Sequence, residues 1–204
     1  SSGLKGATMH DHGGHEHTDF DEFYAAGHRW SGNPNEALIR EAGELTPGRV
    51  LDIGCGEGAD AVWLAEQGWH VTAIDTAKVA VERARAMAAE RGVDKQITFE
   101  VATLADWLDS YLGESFDLIC GFFFPAPVVT EQARELARRL HPGGTMLWVD
   151  HDWGGQRPER MSPLQMEALI TDLVAETDIR RSSRNVTHGA GAHHHEDLIL
   201  RAVR

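Results

Sequence analysis

The sequence has little cysteine and no long apolar run. Its 204 residues include two cysteines, Cys55 and Cys120, too few for a disulfide framework. This usage favours a reducing compartment, and the cytoplasm is the expected location. No apolar stretch approaches the roughly 18 residues of a membrane-spanning helix. The N-terminus is polar and rich in histidine, unlike a secretory signal.

Positive charge is also scarce. Lysine and arginine total 19 residues against 32 aspartates and glutamates, which gives a formal net charge of −13. No basic stripe is present, so nucleic acid and anionic membrane surfaces are not expected as partners. Hydrophobic residues make up 42% of the chain, enough for the core of one α/β domain.

The composition predicts a tail followed by one domain. Residues 1–19 are polar and glycine-rich without apolar periodicity, and we expect a flexible His-rich tail there. Within it, residues 1–8 are expected to be foreign to a natural chain that starts at Met9. Residues 20–204 are expected to form the single folded domain.

Residues 50–60, VLDIGCGEGAD, carry the clearest functional signal. The apolar start predicts a short buried strand. Gly54, Gly56 and Gly58 allow the backbone to turn tightly and to approach a ligand, because glycine has no Cβ. A helix would follow, with its free N–H groups directed at that ligand. Such a loop is typical of a nucleotide-like cofactor site at the C-terminal end of a parallel strand.

The glycine spacing alone also fits the loose dinucleotide-binding pattern, with alanine in the last position. Asp52 and Glu57 weigh against that interpretation, because they would repel a diphosphate. A cofactor with an amino-acid tail and a positive centre fits better, and S-adenosylmethionine has both. A nicotinamide-dependent oxidoreductase is the alternative that the glycine pattern leaves open.

A second strand is predicted at 70–75, ending in Asp75 and followed by Thr76. An acidic side chain about 20 residues after the first glycine is placed to accept hydrogen bonds from both ribose hydroxyls. The alternative is that Asp75 only caps the next helix. The glycine loop upstream favours the ribose role, with Thr76 beside it.

Strand and helix patterns alternate along the chain. Strands are predicted at 49–53, 70–75, 97–102, 116–123, 145–150, 178–186 and 196–204, and helices at 19–27, 34–43, 59–67, 77–91, 106–112, 130–140 and from Ser162 onward. Pro142-Gly143-Gly144 is expected to stop the helix before the fifth strand. A short glycine-rich link between the last two strands favours a hairpin.

Four segments, in this order, resemble the class I S-adenosylmethionine-dependent methyltransferases: VLDIGCGEGAD (50–60), VTAIDT (71–76), FDLIC (116–120) and HPGGTMLWV (141–149). The resemblance runs from about Trp30 to the C-terminus. The segment WSGNPNEAL (30–38) is similar to the small-molecule branch that includes tellurite-resistance and thiopurine methyltransferases.

The resemblance implies an α/β fold and an activity. The fold would be a Rossmann-like, mostly parallel seven-stranded sheet with a C-terminal antiparallel hairpin and helices on both faces. The cofactor would be S-adenosylmethionine, and the reaction an in-line methyl transfer to a small-molecule acceptor. Such a reaction needs donor and acceptor to be held in line.

The resemblance also implies contacts with the methionine part of the cofactor. Gly54, Gly56 and Gly58 would pack against it. Asp52 would orient the loop or approach the methionine ammonium. Cys55 lies inside the loop and is predicted to be a small packing residue rather than a nucleophile.

The contact with adenine is less well defined. Family members often place an acid after the third strand, where this chain has Thr103. Backbone groups of Thr103 and Leu104 would serve instead, or Asp106 would reach in. The alternative is that this segment is only a loop and a helix cap. Trp30 would close over the cofactor, or would only pack.

The end of the fourth strand, CGFFFPAP (120–127), is expected to face the acceptor. The Asn/Asp-Pro-Pro-aromatic motif of methyltransferases acting on nucleic-acid bases is absent there, so base methylation is not expected. Three phenylalanines and two prolines suggest an apolar wall. At least two of the phenylalanines are expected to belong to the core, and one to face a pocket.

His151, flanked by Asp150 and Asp152, is the candidate general base at the end of the fifth strand. A histidine beside a carboxylate could take a proton from the acceptor. The alternative is a loop histidine without a chemical role.

Nine of the twelve histidines fall in two clusters: His10, His12, His15, His17 and His28 near the start, and His188, His193, His194 and His195 near the end. Such tracts bind transition metals readily, but defined metal sites need rigidly held ligands. We therefore assign no metal ligands. A metal-sensing or metal-buffering protein on a methyltransferase fold is the alternative function.

Overall fold

The structure, a computed structural model, describes residues 32–113, 115–155, 157–186 and 193–204. The predicted tail at 1–19, the predicted helix at 19–27 and Trp30 lie outside these residues. Those predictions therefore stay predictions.

Seven strands form one sheet. They are β1 (Arg49–Ile53), β2 (His70–Asp75), β3 (Ile97–Val101), β4 (Phe116–Phe122), β5 (Leu140–His151), β6 (Glu176–Val186) and β7 (His193–Val203). Their order across the sheet is β3-β2-β1-β4-β5-β7-β6. Strands β1 to β5 pair in parallel, and β7 is antiparallel to both β5 and β6. This arrangement confirms the predicted fold.

Helices cover both faces of the sheet. In the described part of the chain they are α1 (Glu36–Ala42), α2 (Ala59–Glu66), α3 (Lys78–Glu90), α4 (Leu104–Ser110), α5 (Thr130–Arg138) and α6 (Pro163–Ile170). Short 3-10 turns lie at Asp94–Gln96 and Thr171–Leu173. Within the described residues no helix combines the length and the hydropathy that crossing a membrane requires.

The core has two layers because side chains alternate across a strand. Val50 belongs to a cluster with residues of α1, α2 and α3, whereas Leu51 and Ile53 belong to a second cluster with residues of α4, α5 and α6. The central strands are thus buried on both faces, as parallel strands covered by helices require.

Helix α4 begins earlier than predicted. It starts at Leu104, two residues before the predicted start, because Thr103 is its N-cap and the Thr103 hydroxyl accepts a hydrogen bond from the Asp106 N–H at 3.0 Å. The side chain of Asp106 therefore lies in the first turn of the helix, where it is exposed.

Residues Pro142-Gly143-Gly144 do not separate helix from strand as predicted. Helix α5 ends at Arg138, and β5 already begins at Leu140 and passes through this segment. Main-chain hydrogen bonds join Gly143 N to Arg204 O at 2.7 Å and Arg204 N to Gly144 O at 2.9 Å. The pairing register of β4 with β5 shifts at Phe116–Leu118, which accommodates the extra residues of β5.

The strand order reverses between β1 and β4. From β1 the chain proceeds outward to β2 and β3, and β4 then returns to the other side of β1. In sheets of this kind a crevice opens at the carboxyl ends of the strands at the reversal point. The loops after β1 and β4 meet there, and both carry sequence-predicted site residues.

Gly121→Ala tests the packing between β4 and β5. A Cβ at Gly121 would overlap the ring of Trp148, which is 1% exposed. We expect the free energy of unfolding to fall by about 1–3 kcal/mol, as for other overpacked cores. Chemical denaturation measures it. The matched control is Gly155→Ala, because no atom lies within 4 Å of a Cβ at Gly155. Equal unfolding midpoints for the two variants would contradict the packing argument.

Candidate active site

A cavity of about 750 Å³ opens at the carboxyl ends of the parallel strands. Its wall is formed by the segments that follow β1 to β5, together with the residues just before α1. The lining includes Asn33 and Asn35, residues 54–60, 74–76, 102–105 and 122–127, and the side chains of Gln132, His151, Trp153 and Arg160. Of the predicted site residues within the described chain, all except Asp52 line this cavity.

The glycine loop is held against β2. The N–H groups of Gly54 and Cys55 both donate to the carbonyl of Ile74, at 2.8 and 2.9 Å. Gly54 and Gly58 have φ values of 74° and 93°, in the left-handed region that favours glycine. A Cβ at Gly54 would lie 2.9 Å from the Phe124 ring. The missing side chain therefore allows the glycine loop to pack against the aromatic segment after β4.

Asp75 joins three elements at the cavity. Its Oδ2 accepts a hydrogen bond from the N–H of Gly56 at 2.8 Å, and its Oδ1 accepts one from the N–H of Ala77 at 2.9 Å. Ala77 is the N-cap residue of α3. Because Asp75 accepts the Ala77 N–H, it also helps to cap this helix, as the alternative prediction stated. A carboxylate offers about four acceptor positions, so helix capping and ligand binding are compatible.

Asp52 lies behind the loop rather than in the cavity wall. It is 2% exposed, and its Oδ2 has no hydrogen-bond partner among the described residues. Burial, and then repulsion from Asp60 and Asp75, raises the pKa of Asp52 well above its usual range. Asp52 does not line the cavity, so the structure does not support the predicted direct contact between Asp52 and a ligand.

Asp60 is the acidic residue of α2 that does line the cavity, and the sequence analysis missed it. Asn35 donates to it twice, from its backbone N at 2.8 Å and from Nδ2 at 2.7 Å. Burial raises the pKa of Asp60, while these two hydrogen bonds oppose the rise. In the sequence, Asp60 could have been identified as a cavity residue by its position in the first turn of the helix that follows the glycine loop.

The segment after β3 gives the cavity its third side. Ala102, Thr103, Leu104 and Ala105 line it, but Asp106 does not. The cavity lining therefore does not support the alternative in which Asp106 reaches a ligand, which stays a prediction. Thr103 acts as a helix cap, as the second alternative proposed, and its main chain still borders the cavity.

The aromatic wall is larger than predicted. Phe122, Phe123 and Phe124 all line the cavity. Phe122 also belongs to the hydrophobic core, because only 8% of its surface is exposed. Phe123 has a φ of 53°, the only positive φ of a non-glycine residue in the described chain. Such a conformation is strained and persists only where the surroundings hold it. Here the Phe123 N–H donates to Val149 O at 2.8 Å.

His151 is the last residue of β5 and lines the cavity. Its carboxylate partner is Asp197 of β7, with 2.9 Å between His151 Nδ1 and Asp197 Oδ1. The imidazole ring of His151 thus pairs with Asp197, whereas the neighbouring Asp150 accepts from the His151 main-chain N–H at 2.8 Å. Asp197 is 5% exposed, and β7 places it directly opposite His151 in the sheet.

Both neighbours of His151 pair with arginines instead. Asp150 accepts two hydrogen bonds from Arg160, at 2.8 and 2.9 Å, and Asp152 pairs with Arg181. Arg160 lines the cavity, as does Trp153, and sequence reasoning missed both. Neither residue stands in a recognisable motif.

The loop cysteine lacks the character of a nucleophile. Burial, and then the charges of Asp75 and Asp52, raises the pKa of the Cys55 thiol well above its usual range. A thiol is nucleophilic as its thiolate. This buried environment agrees with the prediction that Cys55 is a small packing residue.

The described residues contain no cluster of three or more histidine, cysteine, aspartate or glutamate side chains that could hold a metal ion. The histidines at 10–28 and His188 lie outside those residues, as do the side chains of His193, His194 and His195. The metal-binding alternative therefore has no site in the part of the chain that the structure describes.

The fold and the cavity together define a Rossmann-like α/β protein with a cofactor-type site at its strand-order reversal. A family profile described as a methyltransferase domain matches residues 50–144. The chain therefore carries a methyltransferase domain over residues 50–144. The further branch suggested by residues 30–38 stays a prediction.

Two relatives and one solved structure illustrate the similarity. The 2-heptyl-1-hydroxyquinolin-4(1H)-one methyltransferase of Mycobacteroides abscessus is 31% identical over 147 residues, which is 70% of this chain and 64% of that protein. The probable thiol methyltransferase 2 of Arabidopsis thaliana is 32% identical over 147 residues, 69% of this chain and 64% of that protein. The chain thus spans just under two thirds of either relative.

The solved structure is that of TehB from Haemophilus influenzae. It superposes with a TM-score of 0.69 at 14% identity, covering 91% of this chain and 67% of that one. At this identity the likeness concerns the fold alone.

Asp52→Asn tests the buried carboxyl behind the glycine loop. Because its pKa is raised in the folded protein, the folded state keeps a proton that the unfolded chain has lost above about pH 4. The stability of the wild type therefore falls as pH rises from the ordinary carboxyl pKa towards the raised value. Asparagine cannot ionise, so we expect the difference in melting temperature to shift in favour of the variant as pH rises from 4 to 8.

Thermal unfolding at several pH values measures this difference. Exposed Asp109 on α4 supplies the control variant Asp109→Asn. A difference between Asp52→Asn and wild type that stays constant across the range would contradict the raised pKa.

Proposed function

We propose that the protein transfers a methyl group from S-adenosylmethionine to a small-molecule acceptor. The observation that carries the proposal is the composition of the cavity. Its loop side is glycine-rich and acidic, and its opposite side is aromatic with a carboxylate-held histidine. A cationic cofactor and an apolar, protic acceptor fit these two sides respectively.

The loop side suits a positively charged ligand. Asp60, Asp75 and Glu57 line it, and Asp52 lies behind it. A diphosphate would meet repulsion from these groups, whereas an ammonium or sulfonium would be attracted. The carboxylate of Glu57 lies 3.8 Å from the guanidinium of Arg83, so one of the three acidic groups that line the cavity is partly balanced. This charge distribution supports S-adenosylmethionine over a nicotinamide dinucleotide.

We propose contacts for each part of the cofactor from the segments that line the cavity. Asp75 and Thr76 are proposed to hold the ribose, and the main chain at Thr103 and Leu104 to border the adenine. The glycine loop and Asp60 are proposed to hold the amino-acid tail. Trp30 is still proposed to close over the cofactor.

S-adenosylmethionine, when bound, supplies a methyl group on a positively charged sulfur that is an excellent leaving group. The task left to the protein is to align the acceptor and to remove its proton. A carboxylate only accepts hydrogen bonds, so His151 must present Nδ1–H to Asp197. Nε2 then carries the lone pair that can take a proton, and Asp197 stabilises the imidazolium that forms.

The acceptor is proposed to be a small molecule. The net charge of −13 and the missing base-methylation motif argue against nucleic acid. The two relatives described above are named for a hydroxyquinolinone and for thiols, which are both small protic acceptors. Both cysteines are buried and free, in agreement with the expected cytoplasmic location.

Binding of S-adenosylhomocysteine by calorimetry tests the cofactor assignment. We expect Asp75→Asn and Asp60→Asn each to weaken binding by about 10- to 100-fold, because each removes a charged hydrogen-bonding partner at the site. Asp109→Ala, on the exposed side of α4, is the matched control and should bind as the wild type does. Thermal unfolding of each variant identifies any loss of fold.

Two other results would replace the proposal. Binding of NADH in place of S-adenosylhomocysteine would favour the oxidoreductase alternative. Submicromolar metal binding at fixed stoichiometry, with no cofactor binding, would favour the metal-sensing alternative.

Kinetics of His151→Asn and Asp197→Asn test the proton transfer. With a protic acceptor, we expect His151→Asn to lower kcat by about 100-fold or more and to remove the rise of kcat with pH. Asp197→Asn should lower kcat and shift that pH profile, while the KM for the cofactor changes little. Asp197→Glu should restore part of the rate. An unaltered pH profile in both variants would contradict the role of the pair.

A further inference from the structure

The acceptor side of the cavity presents two polar groups, each held by a buried carboxylate. His151 is held by Asp197, which is 5% exposed, and Arg160 is held by Asp150, which is 2% exposed. Both pairs start from the end of β5, because Asp150 and His151 are adjacent residues. Carboxylate-held side chains keep a fixed orientation, which is what ligand recognition requires.

The two groups have complementary hydrogen-bonding character. His151 offers an acceptor at Nε2, as argued above. A guanidinium has five N–H donors, and Asp150 takes one from Nε and one from Nη2 of Arg160. The remaining donors of Arg160 can serve a ligand oxygen. The cavity thus presents an acceptor for a hydroxyl and a donor for a second oxygen.

Flat apolar surfaces surround these groups. The Phe123 ring centre lies 4.6 Å from that of His151, and the Trp153 ring meets His151 edge-on at 5.2 Å. The Arg160 guanidinium lies 5.6 Å from the centre of the same Trp153 ring. A planar ligand fits between such rings better than a branched aliphatic one, because aromatic faces stack.

The charge balance decides which kind of second oxygen fits. Asp150 already neutralises Arg160. A full negative charge on the ligand would therefore be attracted by Arg160 but repelled by Asp150. A carbonyl oxygen needs only the N–H donors. Conjugation of that carbonyl with the hydroxyl would also make the hydroxyl more acidic, which suits removal of its proton by a histidine.

We propose that the acceptor is a planar conjugated hydroxy-carbonyl compound, with its hydroxyl at His151 and its carbonyl oxygen at Arg160. The proposal rests on the proposed methyl transfer and specifies its substrate class. In the step itself the hydroxyl proton moves to His151 Nε2 and the oxygen forms the bond to the methyl carbon. The carbon–sulfur bond breaks, and its electron pair stays on the sulfur.

Two probes of almost equal size test this proposal: 4-hydroxyacetophenone, which has a conjugated carbonyl, and 4-ethylphenol, which lacks it. Their binding to the complex of the protein with S-adenosylhomocysteine is measured by calorimetry. Binding avoids the difference in intrinsic reactivity between the two phenols. We expect the carbonyl compound to bind about 10-fold or more tightly, as a hydrogen bond to a charged donor gives.

The double variant Asp150→Asn/Arg160→Gln removes the charged pair together, so no lone charge stays buried. Asparagine keeps the oxygen that accepts from the His151 N–H. We expect this variant to bind the two probes equally. Arg157→Gln is the matched control, because the Arg157 guanidinium also contacts Trp153, at 4.3 Å, but does not line the cavity.

The outcomes separate this proposal from the proposed function. Equal affinities in the wild type, no binding of either probe, or a preference that survives in the double variant would overturn the substrate class alone. Failure of S-adenosylhomocysteine to bind would overturn the proposed function, and the substrate class with it. Loss of the preference in the Arg157→Gln control would assign it to Trp153 and contradict the role of Arg160.

Discussion

The carboxylate of Asp75 is the contact on which the cavity depends. It receives the N–H of Gly56 from the loop after β1 and the N–H of Ala77 from the start of α3. The loop is thereby fixed to the end of β2, together with the two N–H groups that Ile74 accepts. Without this contact the glycines would leave the loop free to adopt many conformations, because glycine loses the most entropy on ordering.

The acceptor side depends on a contact of a different kind. His151 and Asp197 are 46 residues apart in sequence, yet β7 inserts antiparallel beside β5 and sets them opposite each other. The C-terminal hairpin is therefore more than an edge of the sheet, since it supplies the buried carboxylate that pairs with His151. The Asp150–Arg160 pair follows the same logic, with the arginine supplied by the segment before α6.

The two sides of the cavity differ in charge. On the loop side, burial and then repulsion from Asp60 and Asp75 raise the pKa of Asp52, and burial raises the pKa of Asp60. A cation bound there would favour the charged forms of both carboxyl groups and so oppose these shifts. On the acceptor side each carboxylate has a cationic or protonatable partner. The proposed cofactor, a cation, and the proposed neutral acceptor fit these two sides respectively.

The sequence by itself determined the strand and helix alternation, the glycine loop and the position of Asp75, because these follow from patterns within a few tens of residues. It also predicted His151 at the cavity, but not the partner Asp197, and it named Asp52 rather than Asp60, which is the one that lines the cavity. Those assignments depend on strand register and on which face of a segment is buried. Tertiary structure alone decides them, because residues far apart in the chain become neighbours only when the sheet is assembled.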